Sequence, residues 1–194
     1  DLLFGFLLQF LLTGEQRWWQ LADPLARHII DIDIYHTKHD KSSYSGGLFW
    51  HTMHYLDAMQ STHRCVSRSM VQQGQPVGGG GPGNEHNYSR GLTLYYFLTG
   101  DSRARDTVIG LADWVIAMDQ GTEHLLGIVS DAPTGNCSST VEVDFHGPGR
   151  GAGNSIHTLL DGWLLTRDLR YLNFLEQIVH RTIHPADDLA ERNL

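Results

Sequence analysis

The chain has 194 residues, 41 % of them hydrophobic and 19 % charged, with a net charge of −8. That is enough for one domain with a real core and excludes a disordered tail. No basic stretch is long enough to track phosphates, which argues against nucleic acid as the main partner.

The longest apolar run, residues 2–12, is broken by Gln9 and falls short of the roughly 20 residues of a membrane span, so no membrane is expected. The chain opens on Asp1, with neither a Met nor a basic leader. The expectation is a single domain over 1–194 that belongs to a longer parent chain. Cys65 and Cys137 make neither a disulfide framework nor a Cys-x-x-Cys zinc or redox pair. The 12 histidines are the most unusual feature.

Residues 5–15 begin a repeat. Gly5-Phe-Leu-Leu-Gln-Phe-Leu-Leu-Thr-Gly-Glu15 aligns without gaps to Gly91-Leu-Thr-Leu-Tyr-Tyr-Phe-Leu-Thr-Gly-Asp101, and a weaker copy occupies 159–168. Ten residues beyond each acid stand Leu25, Leu111 and Ile178; fifteen beyond stand Ile30, Ile116 and Ile183. Each unit reads as a helical hairpin. The first helix is apolar nearly all round and buried. A Thr-x-acid turn follows, with Gly100 suited to the left-handed cap and Asp101 or Ser102 capping the second helix. That second helix carries Val108, Leu111, Ala112 and Val115 as an amphipathic stripe. In the first unit Pro24 is expected to kink or restart the second helix, with Asp23 as cap.

Residues 31–40 and 50–55 hold a polar cluster. Asp31, Asp33 and Tyr35 share one face if that segment is extended. Residues 48–60 read as a further helix, on which His51 and His54 share a face. Three readings stay open for the cluster. One is a divalent metal on His36 or His39 with His51 and His54. Another is a sugar platform, with Trp50 and Tyr55 stacking on pyranose faces and His51 and His54 contacting hydroxyls. The third is a set of histidines satisfied by backbone groups. The sequence alone names no cofactor.

A glycine-rich stretch, 74–83, leads into Asn84-Glu85-His86-Asn87-Tyr88-Ser89-Arg90 at the start of the second inner helix. This is more polar chemistry than a cap needs, although Asn87 or Ser89 can cap that helix and Asn154 stands at the position of Asn87 in the third unit. His157 stands at the position of Arg90, so both can line one opening. Residues 125–129 and 140–145 are β-prone and suggest a small hairpin on a loop. Glu142 and Asp144 point the same way if the second run is a strand, with His146 beside them. Trp18, Trp19, Trp114 and Trp163 read as core residues. Asn87-Tyr-Ser89 and Asn136-Cys-Ser138 match the glycosylation sequon, a pattern frequent by chance.

Apolar inner helices alternating with amphipathic outer ones resemble the α/α toroid (α/α barrel) of polysaccharide lyases and glycoside hydrolases. The resemblance covers the three repeats, about half the chain. It implies an all-α fold, helical hairpins of a partial toroid. The 84–90 stretch resembles the Asn-x-His-x-x-Tyr-type entry of toroid lyases such as the alginate and heparinase-type enzymes. The resemblance implies that Asn84 neutralises a uronate carboxylate, His86 takes the C5 proton and Tyr88 protonates the leaving oxygen. Glu85, Arg90, Trp50, His51, His54, Tyr55 and His157 would then contact substrate. The expected activity is β-elimination on an acidic or pectin-like poly- or oligosaccharide. Two alternatives stand beside it. One is a glycoside hydrolase using Glu85, Glu142 or Asp144; the other is a non-catalytic helical-repeat module that binds sugar or protein.

Overall fold

The computed structural model describes residues 1–36, 45–48, 86–119 and 150–182. Helical turns hold 83 % of the described residues and no strand is among them, so the described chain is all-α. Six helices form three hairpins: α1 (Leu2–Thr13) with α2 (Gln16–His28), α3 (Arg90–Thr99) with α4 (Ser102–Asp119), and α5 (Arg150–Thr166) with α6 (Leu169–Thr182). The two helices of each hairpin pack together, α3 also packs on α1 and α5, and α4 packs broadly on α5. The inner helices α1, α3 and α5 therefore follow one another through the array.

The repeated turn has one construction. Thr13, Thr99 and Thr166 each donate their hydroxyl to the carbonyl four residues back, at 2.7, 2.7 and 2.8 Å. Each Oγ1 also accepts the backbone N–H two residues on, from Glu15, Asp101 and Asp168. One short side chain thus closes one helix and positions the start of the next. Gly14 and Gly100 take the left-handed conformation between them, with φ of 69° and 72°. In the third turn Arg167 holds that conformation at φ 62°, its guanidinium 4.6 Å from the centre of the Trp163 ring. Asp101 caps α4 as expected, its Oδ1 accepting the N–H of Arg103 at 2.9 Å, and Asp168 does the same for Arg170 in α6.

Two apolar cores run along the array. Leu3, Leu7, Ala22, Ala26, Leu92, Tyr95, Ala104 and Val108 join the first hairpin to the second. Ala112, Trp114, Val115, Leu159, Tyr171 and Ile178 join the second to the third. Full burial of each leucine is worth roughly 2 kcal/mol. Leu111 and Ile178, picked out by the repeat, are both buried. Trp19 stacks on Tyr95 with ring centres 5.9 Å apart, and Trp163 packs against the second core, as expected of core tryptophans.

Three local expectations are corrected. Pro24 does not restart α2, which runs without a break from Gln16 to His28 with the proline inside it. Asp23 is not a cap: its carboxylate accepts the Tyr95 hydroxyl at 2.6 Å and pairs with Arg27. Residues Ile29–Asp33 are not extended but form a π-helical turn. Asp31 and Asp33 leave it toward different partners, Arg103 at 3.7 Å and His28 at 3.3 Å. Leu48 does not open a helix; it pairs with Ile34 in an isolated antiparallel bridge, flanked by Tyr35 N–H to Gly47 O at 3.0 Å.

Candidate functional site

The richest polar chemistry among the described residues lies where α3 enters the array and meets α5. Ser89 stands at the N-cap position of α3, but its hydroxyl does not cap the helix. It donates instead to Asp161 Oδ2 at 2.7 Å, across to α5. Thr93, one turn on, donates to Ser89 O at 3.1 Å. Thr158 donates to Asn154 O at 2.9 Å and lies 3.3 Å from Asn87 O. Asn87, Ser89, Thr93, Thr158 and Asp161 are all buried.

Asp161 is the centre of this network. Burial pushes its carboxyl above the usual carboxylate range, while the Ser89 hydroxyl and the charges of Arg90 and His157 pull the other way. A carboxyl held this way keeps its proton to higher pH than a solvated one. Acids shifted by burial are found at functional sites, and structural networks shift them too. The sequence offered a signal for it: an acid between Leu159-Leu160 and Gly162, inside an apolar helix. Such a residue has to find a buried partner or leave the helix face.

Asn87 has a different environment. Its side chain caps nothing, and both its amide nitrogen and its amide oxygen are buried without a hydrogen bond. Leaving an amide in that state costs about 1–3 kcal/mol. Neither Asn87 nor Ser89 therefore caps α3.

His86 and Tyr88 come together. The Tyr88 hydroxyl lies 3.3 Å from His86 Nδ1, and the rings meet edge to face with centres 6.0 Å apart. The tautomer of His86 decides which group donates. His86 is buried and Tyr88 half-buried. Arg90 is half-buried and His157 exposed, at equivalent positions of their helices, and both act on Asp161. His86 and Tyr88 thus meet each other just before α3, and Arg90 and His157 lie near Asp161.

His36 bonds to a backbone carbonyl, with Nε2 2.7 Å from Ile30 O, as in the backbone-satisfied reading of the first histidine cluster. Asn84, Glu85, Trp50, His51, His54, Tyr55, His39, Glu142, Asp144 and His146 lie outside the described residues, as do both cysteines and the suggested β-hairpin. Among the described residues, no group of three His, Cys, Asp or Glu side chains is placed to hold a metal ion. Nor is any described helix long and apolar enough to cross a membrane.

The chain matches no protein-family model, and neither a curated protein nor a solved structure matches it.

Proposed function

We propose that the hairpins are part of an α/α toroid and that the chain belongs to a carbohydrate-active enzyme cleaving an acidic polysaccharide by β-elimination. The Tyr88–His86 pair at the mouth of α3 carries this reading. A proton beside a carboxylate is poorly acidic until that charge is matched by donors placed in advance. In this reading Arg90, and His157 when protonated, supply the positive charge, and an imidazole starts near a working pKa for a base. In this scheme His86 takes the proton α to the carboxylate, the C–O bond breaks, and the Tyr88 hydroxyl protonates the leaving oxygen. The product carries a conjugated double bond.

The test is ultraviolet absorbance of that product over a panel of pectic, alginate and glycosaminoglycan polymers. His86→Ala should lower the rate by about 10²–10⁴-fold, and Tyr88→Phe should lower it as well. New reducing ends without absorbance would replace elimination by hydrolysis. Affinity without turnover would leave a sugar-binding module.

A further inference from the structure

α1 and α3 start at different places in the same repeat. In α1 the first ladder bond runs from Gly5 N–H to Asp1 O at 3.2 Å, and the Asp1 side chain caps the helix. Asn87 and Gly91 hold the same two positions 86 residues on. There the ladder opens two residues later, with Thr93 N–H to Ser89 O at 3.0 Å. Both ends of the bond that would lengthen α3 are engaged elsewhere. Gly91 N–H goes to Asp1 Oδ2 at 2.8 Å, and Asn87 O lies 3.3 Å from the Thr158 hydroxyl. Ser89, which would join the lengthened first turn, is tied to Asp161 at 2.7 Å.

The Asn87 amide is left over. Asp1 reaches the next hairpin because Gly91 lies in the first turn of α3, where N–H groups are free. The counterpart of Gly91 in α5 is Thr158, eight residues beyond Arg150, where the ladder claims the N–H. Asn87 thus finds no such donor across the contact, and both its amide atoms are buried without a hydrogen bond. Its own helix has one to offer. Arg90 N–H is the counterpart of Phe4 N–H, which Asp1 accepts at 3.0 Å. Ser89 already lies in the right-handed helical region, at φ −97° and ψ −24°, so the change falls on Asn87 and Tyr88.

We propose that α3 has two registers, a short one held by the Ser89–Asp161 bond and a long one in which Asn87 caps a helix that begins at Tyr88. Passing to the long register gives the buried amide a partner. It also turns Tyr88 into the first helical position and away from His86. On the reading of His86 and Tyr88 given above, the long register silences the site; the two registers themselves do not depend on that reading.

Nuclear magnetic resonance of the whole chain tests this. In the wild type the Tyr88 Cα shift should be non-helical and Arg90 N–H should exchange with solvent. Ser89→Ala cuts the tie to Asp161, so the Tyr88 Cα shift should move to the helical range and Arg90 N–H should gain protection. Asp161→Ala should do the same without altering the segment itself, which separates release of the tie from the helix preference of alanine. Adding Asn87→Ala to either variant should return Tyr88 to its wild-type shift, because the cap is gone. Signals of Thr99 and Thr166 in the hairpin turns check that each variant folds. Tyr88 left non-helical in a folded Ser89→Ala or Asp161→Ala variant would overturn the proposal. So would a helical shift that survives Asn87→Ala, because Asn87 would then not be the cap. None of these readouts uses substrate, so a chain without lyase activity decides the registers equally well.

Discussion

Asp1 and Asn87 hold the same repeat position and meet the next hairpin in opposite ways. Asp1 has both oxygens in use: Oδ1 accepts Phe4 N–H at 3.0 Å and Oδ2 accepts Gly91 N–H at 2.8 Å. A single carboxylate thus satisfies a first-turn donor of α1 and another of α3, where the helix dipoles favour negative charge. Around it the contact is apolar and tight, with Leu3 and Leu7 buried. Asn87 has neither amide atom in use, and around it the contact is polar: Ser89, Thr93, Thr158 and Asp161. The first contact is built for cohesion. The second gives up cohesion for buried hydrogen-bonding groups, the pattern expected where a protein keeps a functional site.

The sharpest way to break the first contact is Gly91→Ala. Its methyl would press on the backbone of Phe4 and on Leu3, so α1 has to move, at a cost of about 1–3 kcal/mol. The same change at Gly5 meets no atom and removes a helix glycine, a gain of up to about 1 kcal/mol. Urea unfolding of both variants should shift in opposite directions. Equal shifts would mean that the two glycines are not in different settings.

The second contact is probed through Asp161. Removing the side chain in Asp161→Ala strands the Ser89 hydroxyl and should cost about 1–3 kcal/mol. Asp161→Asn keeps an acceptor and removes the charge. With the folded-state pKa raised, the native protein binds more protons than the unfolded chain between the two pKa values. The contribution of Asp161 to stability therefore falls as pH rises through that window and is level above it. The Asn variant should lose this slope. At neutral pH it should exceed wild type by something on the order of 1 kcal/mol, since it buries no charge. Unfolding midpoints from pH 4 to 8 report the difference. A gap between variant and wild type that does not widen with pH would show that burial does not govern this carboxyl.

The two contacts also differ in how much of each the sequence discloses. The hairpin turn is local chemistry: a Thr, a cap residue and an acid within three positions, repeated three times, so Thr99, Gly100 and Asp101 declare it. The apolar periods that give Leu111 and Ile178 are local too. The polar network is not local. Ser89 and Asp161 are 72 residues apart, and no spacing rule joins them. Asp161 reads as an oddity in an apolar helix until α5 is laid against α3. The π-turn at Ile29–Asp33 escaped an alternation reading, because alternating Asp and Ile look the same in a strand and in an irregular turn. The His86–Tyr88 pair was legible as composition; their mutual geometry was not.

Asn87 is where the comparison with Asp1 can be made most exact in meaning, if smallest in size. Asn87→Leu replaces a buried amide by an apolar group of about the same volume. If the position serves only packing, the variant should gain stability, about 1 kcal/mol, because two unpaired polar atoms are removed and no hydrogen bond is lost. If the amide is kept for a ligand, the same variant should also lose turnover or sugar binding while gaining stability. Thermal unfolding and the absorbance assay on one preparation read the two effects separately. A loss of stability would show instead that the amide finds a partner in solution, and Asn87 would then join Asp1 as a structural cap between hairpins.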